Sequence, residues 1–192
     1  TCANRPKVAV YDGVRSCRVQ NTVSSGETAC AYGCLGCGDC VSACQFGAIS
    51  MNPETGIPEV NADKCTACGA CAKACPRNII EIRHVKGTKK MGIYVACMNQ
   101  EKGAAAMKAC SAACIACGKC EKVCPFDAVH VQNNVAYVDP DKCKMCRKCE
   151  DECPKNVIHA LNMPPRPAKP AAPKPAAAPK AAETAKPAEE AK

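Results

Sequence analysis

The sequence predicts an α+β fold of two small modules in tandem, each wound around inorganic cores in place of a large apolar one. Three observations predict it. An eleven-residue cysteine pattern occurs four times, twice in each half of the chain. Short apolar runs separated by turn residues follow the pattern at hairpin spacing. The chain has 21 cysteines among 192 residues but no tryptophan, two phenylalanines and four tyrosines. Apolar burial alone would hold neither module together.

The pattern is C-x2-C-x2-C-x3-C. It runs from Cys34 to Cys44 and from Cys65 to Cys75, then again from Cys114 to Cys124 and from Cys143 to Cys153. Bacterial two-cluster ferredoxins hold cubane 4Fe-4S clusters with this run, three cysteines on the near cluster and the fourth on its neighbour. Two residues between ligands let a short loop wrap three corners of a cube, and Gly36, Gly38 and Gly69 permit the turns. The fourth cysteine is expected on a short helix, pointing away from its own loop. The fold class is therefore two tandem bacterial-type two-cluster ferredoxin modules. The expected ligand sets are Cys34, Cys37, Cys40 and Cys75 for the first cluster and Cys65, Cys68, Cys71 and Cys44 for the second. Cys114, Cys117, Cys120 and Cys153 follow for the third, and Cys143, Cys146, Cys149 and Cys124 for the fourth. Proline follows the fourth cysteine at Pro76, Pro125 and Pro154, but Gln45 follows Cys44. That change removes no ligand and is expected to leave a spare N–H near the cluster that Cys44 binds.

In chain order, residues 1–33 form a cysteine-containing leader with a predicted strand, Lys7 to Tyr11, and a turn at Asp12-Gly13. Residues 34–82 form the first module. Its hairpin joins Ala48–Met51 to Ile57–Val60 around Asn52–Gly56, Pro58 marks an edge strand, and Ile79–Ile82 is a closing strand. Residues 83–113 are the connecting leader of the second repeat, with a basic turn at 86–92, a strand at Ile93–Ala96 and an alanine-rich helix at Glu101–Ala109. Residues 114–163 form the second module, with a hairpin of Ala128–Val131 and Val135–Val138 around Asn133-Asn134 and a closing strand at Val157–Leu161. Residues 164–192 are a Pro/Ala/Lys/Glu tail that cannot repay its ordering entropy and is expected to be disordered.

The repeat is longer than the motif. Cys17, Cys30, Cys34, Cys37, Cys40 and Cys44 recur 80 positions later as Cys97, Cys110, Cys114, Cys117, Cys120 and Cys124. Cys2, Cys17, Cys30, Cys97 and Cys110 are thus candidate extra ligands or a redox-active pair. Free buried thiols that pack as small hydrophobes explain them equally well, and the sequence leaves both readings open.

Four repetitions of one ligand spacing suit metal far better than a disulfide framework. Zinc ribbons use C-x2-C pairs across a longer loop, whereas three cysteines in one run suit a cube. The formal charge of +8 invites a nucleic-acid reading. The tail contributes six Lys/Arg and three Asp/Glu, leaving +5 on residues 1–163, and four clusters at roughly −2 each turn that to about −3. No nucleic-acid partner is therefore expected. His84, His130 and His159 read as surface or strand residues; Asp39, Phe46 and Phe126 read as walls of the cluster pockets. No nucleotide-binding glycine motif or nucleophile elbow occurs, so no catalytic residue is assigned and no flavin or NAD is expected on the chain. No run of about 18 apolar residues is present. The chain starts at Thr1, and a longer parent protein is expected.

Cys30-Ala-Tyr-Gly-Cys-Leu-Gly-Cys-Gly-Asp-Cys-Val-Ser-Ala-Cys-Gln-Phe-Gly-Ala-Ile49, the second eight-cysteine unit led by Cys97 and Cys110, and the Pro/Ala/Lys tail resemble one family. It is the B subunits of the Rnf ion-translocating ferredoxin:NAD oxidoreductase complexes, and the resemblance covers roughly residues 1–163. It implies a one-electron relay through four 4Fe-4S clusters at the cytoplasmic face of the bacterial inner membrane. Reduced ferredoxin would be the donor and other membrane subunits the acceptors. The chain would be part of a translocase-class oxidoreductase without a catalytic site of its own, attached through a missing amino-terminal segment or through partner subunits. A free-standing polyferredoxin, or the iron-sulfur subunit of another dehydrogenase or hydrogenase, shares the motifs. A metal-stabilised nucleic-acid-binding module is a more distant alternative that lacks stacking aromatics.

Overall fold

The computed structural model describes residues 5–84, 86–87 and 90–164. Cys2 and almost all of the tail lie outside the described residues. The elements are α1 (Cys17–Val23), α2 (Asp39–Ser42), β1 (Ile49–Met51), β2 (Pro58–Val60), α3 (Ala70–Ala74) and β3 (Gly92–Val95). They continue with α4 (Gly103–Ala109), α5 (Lys119–Lys122), β4 (Val129–Gln132), β5 (Val135–Val138), α6 (Lys148–Glu152) and β6 (Ile158–Leu161). The described strands pair antiparallel as β1–β2, β4–β5 and β3–β6.

Turn chemistry sets both hairpins. Asn133 and Asn134 both adopt positive φ, 48° and 61°, the backbone a two-residue loop needs to match strand twist. They join Gln132 to Val135 directly. In the first hairpin Asn52 Oδ1 accepts from the N–H of Glu54 and of Thr55, and Gly56 turns the chain back at φ 66°.

Two expected strands do not form. Residues 7–11 make an isolated bridge, Lys7 to Thr28, the N–H groups of Val8 and Ala9 both donate to the one carbonyl of Glu27 in place of a regular ladder, and Val8 and Val10 stay exposed. Ile79–Ile82 forms no strand, whereas its counterpart β6 pairs with β3 from the connecting segment. Eighty positions before β3 (Gly-Ile-Tyr-Val) stand Asp12-Gly-Val-Arg15, which offer no alternating apolar face for Ile79–Ile82 to join.

The leaders also diverge. The first has α1 starting at Cys17, a helix the sequence reading did not include; the second has none until Gly103. Ser16 makes no cap of its own for α1, and Asp39 caps it from another element, its Oδ2 accepting from Arg18 N (3.1 Å) and Ser16 Oγ (2.9 Å). The equivalent positions are Ala96 and Lys119, which can do neither.

The apolar core is lopsided. Ile93, Val95, Ala128, Val129, Ala136, Val138, Val157 and Ile158 pack with Cys114, Cys120, Cys143 and Cys149 in the second half. Among the described residues of the first half, only Cys17, Cys30, Cys40, Ala48, Ile49 and the polar Gln20 are buried. The segment joining the halves is pinned across the seam. Lys86 Nζ donates to Asp141 O and Cys143 O, Tyr137 Oη donates to Glu81 Oε1 at 2.8 Å, and the Arg83 guanidinium lies 4.8 Å from the Tyr137 ring centroid.

Candidate cluster sites

Each cysteine loop repeats one backbone device. The second and fourth residues after the first cysteine have positive φ in all four: Gly36 and Gly38, Ala67 and Gly69, Ala116 and Gly118, Met145 and Arg147. Two left-handed residues curl the loop around a hollow and end it at a helix start. The helix then carries the third cysteine, Cys40 in α2, Cys71 in α3, Cys120 in α5 and Cys149 in α6. The fourth cysteine, expected on that helix, stands instead at or just past its end: Cys75 and Cys153 are the C-caps of α3 and α6, and Cys44 and Cys124 follow the caps of α2 and α5. A helix of four or five residues is one turn, so the fourth cysteine emerges at its far end, facing away from the loop.

The thiols gather across the loops. Cys114, Cys117, Cys120 and Cys153 line one cavity, together with Pro154, Val131 and Ile158. Cys149 lies in the field of Cys143, Cys146 and Cys124. Cys44, Cys65, Cys68 and Cys71 all open on the wide cleft between the halves, which also reaches Cys30, Cys97 and Cys110. A third cavity departs from expectation: it is lined by Cys17, Cys34, Cys40 and Cys75. The Cys37 sulfur sits 2.9 Å from Gln20 Oε1 on α1.

Backbone N–H groups meet the sulfurs in a repeating way. Ala48 N–H donates to Cys44 Sγ and Ala128 N–H to Cys124 Sγ, while Ala67 N–H and Met145 N–H reach Cys65 and Cys143, each at 3.4 Å. Despite Gln45 in place of proline, Cys44 receives its bond from four residues on, as Cys124 does. The N–H groups around it, Ala48 first and then Phe46, hold the Cys44 thiol below its ordinary pKa. Burial acts oppositely on the inner thiols, pushing Cys37, Cys40 and Cys120 up to about 11 and Cys149 up to about 12. Metal must displace their protons, so loading releases acid.

Two cations missed by the sequence reading lie beside the first site. Arg77 donates from Nη1 to Gly33 O (2.6 Å), from Nη2 to Ser25 O (2.5 Å) and from Nε to Asn21 Oδ1 (3.1 Å), and burial lowers its pKa. Arg5 donates to Cys34 O from both Nη atoms. Neither residue has a sequence signature, because each acts 29 or more positions away from itself. Asn99, buried, points its amide at the Cys30 sulfur at 3.8 Å and tethers the second leader to the first. Burial raises the pKa of Asp39, but hydrogen bonds from the N–H groups of Cys17 and Arg18 and from the Ser16 hydroxyl outweigh it and hold the carboxyl below its usual range.

Among the described residues, no three His, Cys, Asp or Glu groups converge on one metal-ion position. A cubane asks for something else: four thiolates on four separate irons, around a hollow that backbone N–H groups help to line. Four thiols grouped on one apolar-walled cavity and N–H···S bonds fit that group.

The family model for the 4Fe-4S dicluster domain matches residues 33–79, 64–128 and 113–157. The chain belongs to the 4Fe-4S dicluster family. Its cofactor is the 4Fe-4S cluster, in more than one copy. Among curated proteins it is 44% identical over 144 residues to the B subunit of the Na(+)-translocating ferredoxin:NAD(+) oxidoreductase complex of Acetobacterium woodii, covering 75% of this chain and 42% of that protein. It is 49% identical over 142 residues to the B subunit of the proton-translocating ferredoxin:NAD(+) oxidoreductase complex of Clostridium ljungdahlii, covering 74% and 48%. It is 41% identical over 133 residues to the B subunit of the ion-translocating oxidoreductase complex of Methanosarcina acetivorans, covering 69% and 48%. The dicluster chain thus spans a little under half the length of these relatives. Among the described residues no helix is long and apolar enough to cross a membrane.

Proposed function

We propose that the chain is a one-electron relay of four 4Fe-4S clusters in two tandem two-cluster modules. It serves as the electron-entry part of the B subunit in an ion-translocating ferredoxin:NAD oxidoreductase. The carrying observation is the fourfold site itself, repeated within a stretch that resembles three such subunits. We assign one cluster to Cys65, Cys68, Cys71 and Cys44, one to Cys114, Cys117, Cys120 and Cys153, and one to Cys143, Cys146, Cys149 and Cys124. The first takes Cys34, Cys40, Cys75 and one thiol from Cys17 or Cys37. Reduced ferredoxin is the donor, membrane subunits at the cytoplasmic face of the inner membrane are the acceptors, and the chain itself performs no bond chemistry.

When bound, a 4Fe-4S cluster takes up and returns a single electron. The chain's part is to bind, orient and bias. Positive-φ loops set three thiols, helix ends set the fourth, and N–H donors to Cys44, Cys65, Cys124 and Cys143 stabilise negative charge on sulfur. Arg77 and Arg5 bring positive charge to the first site, which favours the reduced state there. The test is iron and acid-labile sulfide on anaerobically purified chain, followed by stopped-flow mixing with reduced ferredoxin. About sixteen irons per chain and rapid reduction are expected. About eight irons, or NAD reduction by the isolated chain, would overturn the reading.

A further inference from the structure

The first site has five thiols at hand for four ligand positions. Four of them, Cys17, Cys34, Cys40 and Cys75, line one cavity. This matches the site in the second half, where Cys114, Cys117, Cys120 and Cys153 line theirs. Cys17 stands where the second half has the middle cysteine of the run. The middle cysteine of the first run, Cys37, meets Gln20 Oε1 at 2.9 Å instead.

The Cys37 sulfur is held on the α1 side, against Gln20 Oε1 and Cys17, and does not line the first site's cavity. Gln20 is 1% exposed on α1, and its oxygen would lose a buried partner if Cys37 turned away. Cys17 is held the other way. As the first residue of α1 it is fixed by the Asp39 cap on Arg18 N–H and Ser16 Oγ, and it is 9% exposed. Nothing equivalent exists in the second half, where Ala96 and Lys119 replace the capping pair and no helix begins at Cys97. Cys97 Sγ there accepts from Cys114 N–H at 3.3 Å, and Cys117 keeps its place on the cavity.

We propose that Cys17, not Cys37, completes the first 4Fe-4S site with Cys34, Cys40 and Cys75, and that Cys37 stays outside the ligand set, held by Gln20. This rests on the four-cluster reading, and the native chain's iron content tests that reading separately. A native count far below about sixteen sinks the reading itself.

The decisive measurements compare Cys17→Ser and Cys37→Ser in the full chain, purified anaerobically, by iron, acid-labile sulfide and EPR of the reduced protein. Cys37→Ser should keep the full iron complement and an unchanged spectrum. Cys17→Ser should lose about a quarter of the iron, one cluster of four, or trap a three-iron cluster, with the other signals intact. The pattern should invert in the second half, Cys97→Ser keeping its iron and Cys117→Ser losing a quarter. Full iron in Cys17→Ser with loss in Cys37→Ser overturns the assignment, and so does loss only in the double variant, which would mean interchangeable thiols. Should both single variants lose iron through misfolding, maleimide mapping of the native holoprotein decides. Labelling at Cys37 with protection of Cys17 supports the proposal, and the reverse overturns it.

Discussion

Eight left-handed residues shape the four cysteine loops, and only half of them are glycine. Ala67, Ala116, Met145 and Arg147 hold φ between 54° and 64°, a conformation that costs a residue with a Cβ about 1–2 kcal/mol. Glycine removes that cost but adds roughly 0.5–1 kcal/mol of unfolded-chain entropy. Ala67 is exposed, and its bond to the Cys65 sulfur comes from its backbone, so Ala67→Gly has little else to lose. It should stabilise the cluster-loaded chain by up to about 1 kcal/mol, a rise of roughly 2–4 °C in an anaerobic melt. An unchanged or lowered Tm would mean that the loop is not strained there. Arg147→Gly should gain less, because Arg147 pairs with Glu150 through Nε at 2.6 Å and Nη2 at 3.2 Å and also donates to Pro164 O.

At the scale of elements, the parts that follow from local pattern were legible and the parts that need a distant partner were not. Both hairpins could be read because Asn133-Asn134 and Asn52–Gly56 carry their own turn chemistry. The strand expected at Ile79–Ile82 did not form, because strand propensity says nothing about whether an edge will be there to join. Helix α1 was missed since its cap is Asp39, more than twenty positions away, and a search for a local cap finds only Ser16. Among the cysteines, the spacing was informative within each run, yet the pairing of Cys37 with Gln20 depends on where α1 packs and leaves no trace in the spacing. Asp39 is thus the hinge of the first site's local structure. Asp39→Ala strips the caps from Arg18 N–H and Ser16 and should cost about 1 kcal/mol. If α1 holds a ligand, the loss should appear as iron missing from the first site alone, seen by iron analysis beside the Tm. A stability loss with full iron would confine Asp39 to a structural role.

Over the whole molecule, two unequal halves are joined by a thin seam. Tyr137 is part of that seam, and its hydrogen bond to Glu81, reinforced by partial burial, raises its pKa above the ordinary tyrosine value. A raised tyrosine pKa contributes stability that is complete below the unfolded value and disappears as pH rises through the folded one. The seam should therefore loosen only in alkali, visible as a late tyrosinate absorbance step in the native chain that Tyr137→Phe abolishes; a step at the ordinary tyrosine pH would show the bond is not kept in solution. The lopsided core has a larger consequence. Val129, Val138 and Ile158 are almost fully buried in the second half, each worth about 1.5–3 kcal/mol, while the first half buries little beyond Ala48, Ile49 and its own cysteines. With clusters bound, both halves are held by metal–thiolate bonds and the difference is masked. Once iron is withdrawn, the first half has almost nothing apolar left to oppose chain entropy, whereas the second retains the packed β3–β6 and β4–β5 strands. Anaerobic chelation followed by hydrogen exchange should show amides of β1, β2 and the 39–44 helix region losing protection first. Those of β4, β5 and β6 should persist into a partly folded intermediate. Simultaneous loss of protection in both halves would show that the clusters, and not the apolar core, supply the stability of the second half as well.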